Sequence, residues 1–520
     1  MMPLELLQTL IQTILRSAMS MLIYPSAAKA VPPALPYPDM SPQHPMRSLQ
    51  SLADEVDRVF RYPCSIRRML QMSSAIKSQY RDKLQRSDAC MLPSFCHAMP
   101  TGQETGTFIA LDVGGSTFRV ALVELHGRSS VSDSMTIHHM TSSKIDEPIR
   151  RLRGIQFFDW MAGRIEAMLL ECPPSQPRSE TIALGLTWSF PIEQTSHRSG
   201  KILGMGKGFQ CAHDNLGADL AELLEAACAR QGRSIRVEAI INDGAATLLS
   251  QAYLDPATSM GLILGTGTNA AAYFPTLSIG KSKFGTRSPS WFTRAERVIV
   301  NTECSMFGGG ILPRTSWDET LNNNHVLPDF QPLEYMTTGR YLGELMRLVI
   351  LDAVEICDMF SGTIPAELVE PYSLDTAILA QLEEDNSPDM SDSAQFITQA
   401  FGLLSMPTKS EMAFLRLVAQ SISRRASAYM AVAIHAMWSL QKETAVNSET
   451  PYGTPKTSIA CNGSVILKYP GFKARSEGFM ARMIAEGTSG AQRSERISLE
   501  PTYESAVFGA AVAVALGEDT

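Results

Sequence analysis

The spacing of apolar positions changes several times along this chain, and each change marks an element. Between Leu4 and Ile23 apolar residues fall at Leu4, Leu7, Ile11, Ile14, Leu15, Ala18 and Leu22, which is the spacing of one helix face. Gln8, Thr9, Gln12, Thr13, Arg16 and Ser17 interrupt the run too often for a membrane span, and no charged n-region of a secretory signal precedes it. The pattern predicts an amphipathic helix. Two readings stand side by side: peripheral contact with a membrane through residues 4–23, or a helix that covers a groove on its own protein. Prolines from Pro32 to Pro45 then predict an extended linker, so the folded body is expected to begin near Leu49.

Within the body, apolar runs at Phe108 to Leu111 and Phe118 to Leu125 flank Gly114, Gly115, Ser116 and Thr117. About 150 residues later, Leu262 to Leu264 and Ala270 to Phe274 flank Gly265, Thr266, Gly267 and Thr268. Each set predicts a hairpin. Backbone without Cβ atoms can approach an anion closely and aim N–H groups at it, and the hydroxyls of Ser116, Thr117, Thr266 and Thr268 add donors. Either stretch alone reads first as an ordinary turn rather than a ligand site. The pair, with Asp112 placed to hold a Mg2+ ion through water, points to phosphate. Neither is a dinucleotide fingerprint, since Ala270 stands where a third glycine would and a strand follows.

Two further strands, Thr181 to Trp188 and Val237 to Ile241, end in Ser189-Phe190-Pro191 and in Asn242-Asp243. Helical spacing from Leu216 to Gln231 and from Ala245 to Tyr253 flanks the second strand, so the class is α/β. Ligands gather beyond the carboxyl ends of strands in such sheets, which makes Ser189, Asn242 and Asp243 site candidates by position. Taken alone, Asp243 reads first as an N-cap.

A chain of 520 residues with 44% hydrophobic content buries a large core and divides into more than one domain. Its formal net charge of −8 and the lack of any basic run argue against a direct nucleic-acid surface. Nine scattered cysteines, odd in number and without C-x-x-C spacing, suggest neither a zinc site nor a disulfide framework. An intracellular, cytoplasmic setting is expected.

The ordered stretches ALDVGGSTFRV, LTWSFP, LGMGKGF, IINDGAATL, GLILGTGTNAAAY, VNTE, LEYMTTGRYLGEL and ACNGSVILKYPGFK resemble the hexokinase family, fungal hexokinases and glucokinases in particular. The resemblance runs from about Leu49 to the C-terminus and extends to atypical hexokinase-like paralogues of filamentous fungi. It implies an actin-like ATPase (ribonuclease H-like) fold with two α/β domains around a hexose and ATP cleft. The small domain would hold residues 102–242 and 505–520, the large one 49–101 and 243–504, and residues 1–48 the helix and linker. Asp243 would be the general base for the sugar 6-hydroxyl, with Lys207 beside it. Ser189, Lys207, Asn242, Asn269, Glu303 and Glu334 would contact the hexose, glucose by implication. Asp112, Gly114, Gly115, Ser116, Thr117, Gly265, Thr266, Gly267 and Ser464 would line the nucleotide. The resemblance also allows a mitochondrial association through the N-terminal helix.

Departures from the family pattern cluster on the nucleotide side. A threonine that would reach the sugar is missing from Met205-Gly206-Lys207-Gly208-Phe209, at a cost of about 0.5–1.5 kcal/mol for one hydrogen bond. Gly244 follows the base and is expected to loosen the start of its helix. Gly115-Ser116-Thr117 replaces Gly-Thr-Asn, Asn462-Gly463-Ser464 replaces Asp-Gly-Ser, and Ser505-Ala506-Val507 replaces Gly-Ser-Gly. If the last loop keeps its path, Ala506 and Val507 remove a hydroxyl and set bulk against the nucleotide. Two function classes follow: an ATP-dependent hexose kinase, and a non-catalytic sugar-binding regulator of carbon-starvation or protease gene responses.

Overall fold

The computed structural model describes residues 47–128, 134–172, 181–206, 208–445, 456–487 and 495–517. The predicted N-terminal helix, its proline-rich linker and Lys207 lie outside these residues. The body opens where the linker was expected to end. Ser48 accepts from Ser51 N and starts the helix Leu49–Arg61, whose Leu52, Ala53, Val56 and Phe60 face inward at helical spacing.

Strands β1 (Leu92–Pro93), β2 (Thr105–Val113), β3 (Thr117–His126), β4 (Met135–Lys144), β5 (Ile182–Trp188), β6 (Ile192–Gln194), β7 (Gly200–Ile202) and β8 (Ile235–Ile241) come first. They are followed by β9 (Thr258–Leu264), β10 (Thr268–Pro275), β11 (Arg297–Asn301), β12 (Lys456–Asn462) and β13 (Arg496–Pro501). One sheet has the order β4-β3-β2-β5-β8 and the other β1-β11-β10-β9-β12-β13, while β6 and β7 form a separate ribbon. In the first, β2 pairs antiparallel with β3 and parallel with β5, and β8 runs parallel to β5. The second repeats this, with β9 antiparallel to β10, parallel to β12, and β13 parallel to β12. This is the actin-like sugar-kinase arrangement implied by the resemblance. Each predicted strand forms, one to four residues longer at several ends because the ladders continue past the apolar run, while β5 starts one residue after the predicted Thr181.

Two predicted helices shift their starts. The one expected from Leu216 begins at Leu220, because Gly217 takes a positive φ of 78° and Asp219 caps Ala221 N and Glu222 N. The other begins at Asp243 rather than Ala245, because Asn242 caps it by accepting from Ala245 N at 2.7 Å. Asp243 is thus the first residue of the helix and not its cap.

The helices Asp243–Leu254 and Ser505–Leu516 cross between the sheets. Gly509 makes the crossing possible, since a Cβ there would stand 2.0 Å from the carbonyl oxygen of Ala246. Around the crossing, Ala239, Ala245, Ala246, Ala271, Val507, Ala510 and Ala511 form one alanine-rich core. The long helix Lys409–Ala445 packs in the larger core around the six-stranded sheet, where Arg425 Nη2 donates to Asp318 Oδ1 at 2.7 Å. All nine cysteines are free, and no helix among the described residues is long and apolar enough to cross a membrane.

Candidate active site

The carboxyl ends of β2, β5 and β8 meet beside the start of the helix Asp243–Leu254. Val113 pairs with Trp188, and Ser189 N donates to Val113 O, which sets Ser189 next to the first glycine turn. That turn is the predicted hairpin: Gly114 N donates to Thr117 O, Arg150 Nη2 to Gly115 O, and Ile145 N to Ser116 O, leaving the Ser116 side chain exposed. Asp112 lies opposite Arg119 in the ladder and accepts from its Nη1 at 2.6 Å. Burial raises the Asp112 pKa to about 6 despite this arginine, and the charges of Asp243 and Glu504 add to the rise. Among the described residues no group of three or more His, Cys, Asp or Glu could hold a metal. The carboxylates of Asp112 and Asp243, close enough for one charge to raise the other's pKa, nevertheless fit a hydrated divalent cation brought in with phosphates.

The second glycine turn also forms as a hairpin, closed by Gly265 N donating to Gly267 O, with Thr266 exposed at its tip. A Cβ on Gly265 would meet Ser464 N at 3.2 Å, so this turn rests on the Asn462-Gly463-Ser464 turn. Gly463 requires its residue type: φ is +116° and a Cβ would stand 2.3 Å from Leu264 O. Glu334, in the first turn of the short helix Pro332–Thr337, accepts from Thr268 N at 3.0 Å.

Asn269, the next residue, reaches Glu303 through a side chain that sequence reasoning had not singled out. Asn269 Nδ2 donates to Asn301 Oδ1 at 2.9 Å, and Asn301 Nδ2 donates to Glu303 Oε1 at 2.8 Å. Asn301 lies within the VNTE stretch, two residues before Glu303. Glu303 holds a left-handed backbone with φ of 50°. Burial raises its pKa to about 6 against the Asn301 bond, and Asp243 raises it further. Asp243 therefore acts electrostatically on both Asp112 and Glu303. One of its own oxygens accepts from Gly244 N at 2.8 Å. Asn242 Nδ2 is buried without a hydrogen-bond partner, an orphan donor that a polyol hydroxyl would satisfy.

Two expectations change. Gly244 does not sit in loose surroundings: it is buried, and a Cβ there would meet Ala271 N at 3.2 Å. Val507 sets no bulk against the nucleotide side, because it is fully buried in the core between the crossing helices. The half-buried Ala506 accepts from Thr187 Oγ1 through its carbonyl at 2.9 Å. Asn462 Nδ2 donates to Ser505 Oγ, and Arg119 Nε lies 3.9 Å from Glu504 Oε2. Contacts thus run from the second turn through Asn462, Ser505 and Glu504 to Arg119 and Asp112. Every candidate except Lys207 is placed, on the glycine turns or beside them.

The hexokinase family matches residues 55–253 and 259–516. Hexokinase-1 of Saccharomyces cerevisiae is 31% identical over 436 residues, covering 82% of this chain and 84% of that protein. Hexokinase-2 of Candida albicans is 32% identical over 434 residues, with the same coverage of each. A solved hexokinase from Schistosoma mansoni, complexed with glucose, superposes with a TM-score of 0.73 at 25% identity, over 90% of this chain and 100% of that one. The two glycine hairpins, the doubled sheet order and these matches place the chain in the hexokinase family.

Proposed function

We propose that this chain is an ATP-dependent hexose kinase that phosphorylates the 6-hydroxyl of glucose. One observation carries the reading: Asp243 sits where the Glu303–Asn301–Asn269 chain and the Asp112 turn come together, within electrostatic reach of both. Ser189, Asn242, Asn269, Glu303 and Glu334 hold the sugar by hydrogen bonds, with Lys207 as their cationic partner. Asp243 takes the proton of the 6-hydroxyl as its oxygen attacks the γ-phosphorus of ATP in line. Asn242, by capping the helix, fixes the backbone on which that carboxylate stands. The turns at Gly114 to Thr117 and Gly265 to Gly267, with Ser464, cradle phosphates. When bound, Mg2+ supplies charge neutralisation on the phosphates, held through water by Asp112. Residues 102–242 with 505–520, and 49–101 with 243–504, act as the two bodies that close over the sugar and exclude water.

The sugar-binding regulator is the second reading, favoured by one specific observation. Asn462 replaces a carboxylate on the nucleotide side and spends its amide on Ser505. Formation of hexose 6-phosphate from Mg-ATP and saturating glucose, measured beside Asp243→Ala, separates the two. Product above the variant's background supports the kinase. Absence of product from folded protein that is still stabilised by glucose supports the regulator.

A further inference from the structure

The first glycine turn is held from one side by the segment that follows β4. Ile145 N donates to Ser116 O at 2.8 Å, and Arg150, at the end of the short helix Glu147–Arg150, donates from Nη2 to Gly115 O at 3.1 Å. Two successive carbonyls of the turn are thus taken by one strap. No described peptide bond is cis, and in a trans peptide the N–H points opposite to the C=O. Holding Gly115 O therefore turns the N–H of Ser116 away from the strap. Ser116 N donates to no group among the described residues. With Gly114 and Gly115 before it this peptide rotates at little cost, so the Arg150 bond selects the orientation that presents the donor.

The same residue also holds the segment around Lys207. Arg150 O accepts from Gln210 N at 2.8 Å, three residues after Lys207. Further along the strap, Gly154 N donates to Asp214 Oδ2 at 3.0 Å, and Gly154 O accepts from Asn215 Nδ2 at 2.9 Å. Phe209 packs on Phe190, the neighbour of Ser189, with ring centres 5.1 Å apart. The strap itself is well anchored, since Ile145 is buried and Asp146 caps the short helix by accepting from Ile149 N. The side chain of Arg150 thus serves the turn assigned to phosphate, and its main chain serves the segment assigned to the sugar.

We propose, on the basis of the sugar and phosphate sites assigned above, that Arg150 is a positioning residue that couples them. It aims the Ser116 N–H at a nucleotide phosphate and ties that donor to the Lys207 segment, so sugar and nucleotide strengthen each other's binding. The coupling is reciprocal: the factor by which nucleotide tightens glucose equals the factor by which glucose tightens nucleotide.

Glucose affinity measured by calorimetry on the full chain, with and without a saturating non-hydrolysable Mg-ATP analogue, tests this. The parent is expected to bind glucose about fivefold tighter, or more, with the analogue present. Arg150→Met keeps much of the side-chain length and removes the donor, while the backbone bond from Gln210 N stays. It should cut that factor to less than about twofold and weaken the analogue about tenfold, the loss expected for one positioned hydrogen bond to a charged group. Glucose alone should bind the variant as it binds the parent. Arg150→Lys keeps a donor of similar reach and should retain most of the factor. A parent without such a factor, or an Arg150→Met variant that keeps it, overturns the proposal. So does a lysine variant as uncoupled as the methionine one, or loss of affinity for glucose alone in Arg150→Met, which marks a merely structural role. Turnover is read separately: a parent that shows the factor and forms no hexose 6-phosphate refutes the kinase reading and leaves the coupling standing.

Discussion

Asn462 Nδ2 donates to Ser505 Oγ at 2.8 Å, and that hydroxyl lies 2.9 Å from Thr247 Oγ1. Both residues depart from the family pattern, one for aspartate and one for glycine, and they are each other's partners. The departures form a single replacement in which an amide and a hydroxyl tie the turn after β12 to the crossing helices. Ser505→Ala is expected to lower stability by about 1–3 kcal/mol in urea unfolding, the cost of leaving a buried donor unpaired. In a double-mutant cycle with Asn462→Ala, the second substitution should then cost little beyond the first.

Asp243→Asn keeps the shape of the side chain and removes its charge. Turnover is expected to fall by about 10²–10⁴-fold, the range of a lost general base, while glucose still raises the melting temperature. Because the Asp243 charge raises the pKa values of Asp112 and Glu303, the variant should bind glucose down to lower pH than the parent. Glucose affinity measured across an acid series reads this directly.

Asp112 and Glu303 both titrate at about 6 in the fold, above the value of about 4 expected in an unfolded chain. A raised carboxylate pKa means the folded state holds the proton more tightly, so this contribution is present at low pH and is lost as pH rises through about 6. These two groups should therefore stabilise the ligand-free protein as pH falls from about 7 towards 5. Glucose binding should weaken over the same window as Glu303 loses its charge. Glu303→Gln is expected to leave the ligand-free melting temperature unlowered at neutral pH while reducing glucose affinity about tenfold. Thermal melts with and without glucose, run at both pH values, separate the two effects.

Arg425 is 1% exposed and meets Asp318, which also accepts from Thr315 N and closes the capping box of the helix Ser316–Asn324. Asp318→Ala strands a buried guanidinium and breaks that box. A loss of about 3–5 kcal/mol is expected in chemical unfolding, far more than for any exposed ion pair such as Lys409–Asp389.

The glycine hairpins were legible because turn chemistry is local: small residues between two apolar runs leave few other conformations. The cap was misplaced by one residue because Asn and Asp are nearly equal in that role, and only the fold aims one amide at Ala245 N. Asn301 was missed because a polar residue ending a strand carries no periodic signal. Its meaning arises only when β10 and β11 pair and set it between Asn269 and Glu303. The direction of Val507 was likewise invisible, since it depends on where the last helix starts turning and on a second helix more than 250 residues earlier in the chain.

The two sheets share one strand order, and in each a helix follows the fifth strand: Asp243–Leu254 after β8 and Ser505–Leu516 after β13. The two glycine turns occupy equivalent places between the first and second strands of each set. The molecule is therefore a doubled unit whose two equivalent helices meet at Gly509 and Ala246. The mouth of one helix carries Asp243, and the mouth of its twin carries the Glu504 and Ser505 contacts that run between the two glycine turns. One fold position thus carries Asn242 and Asp243 in one half and Glu504 and Ser505 in the other, so a single architecture presents two different sets of side chains at equivalent helix mouths.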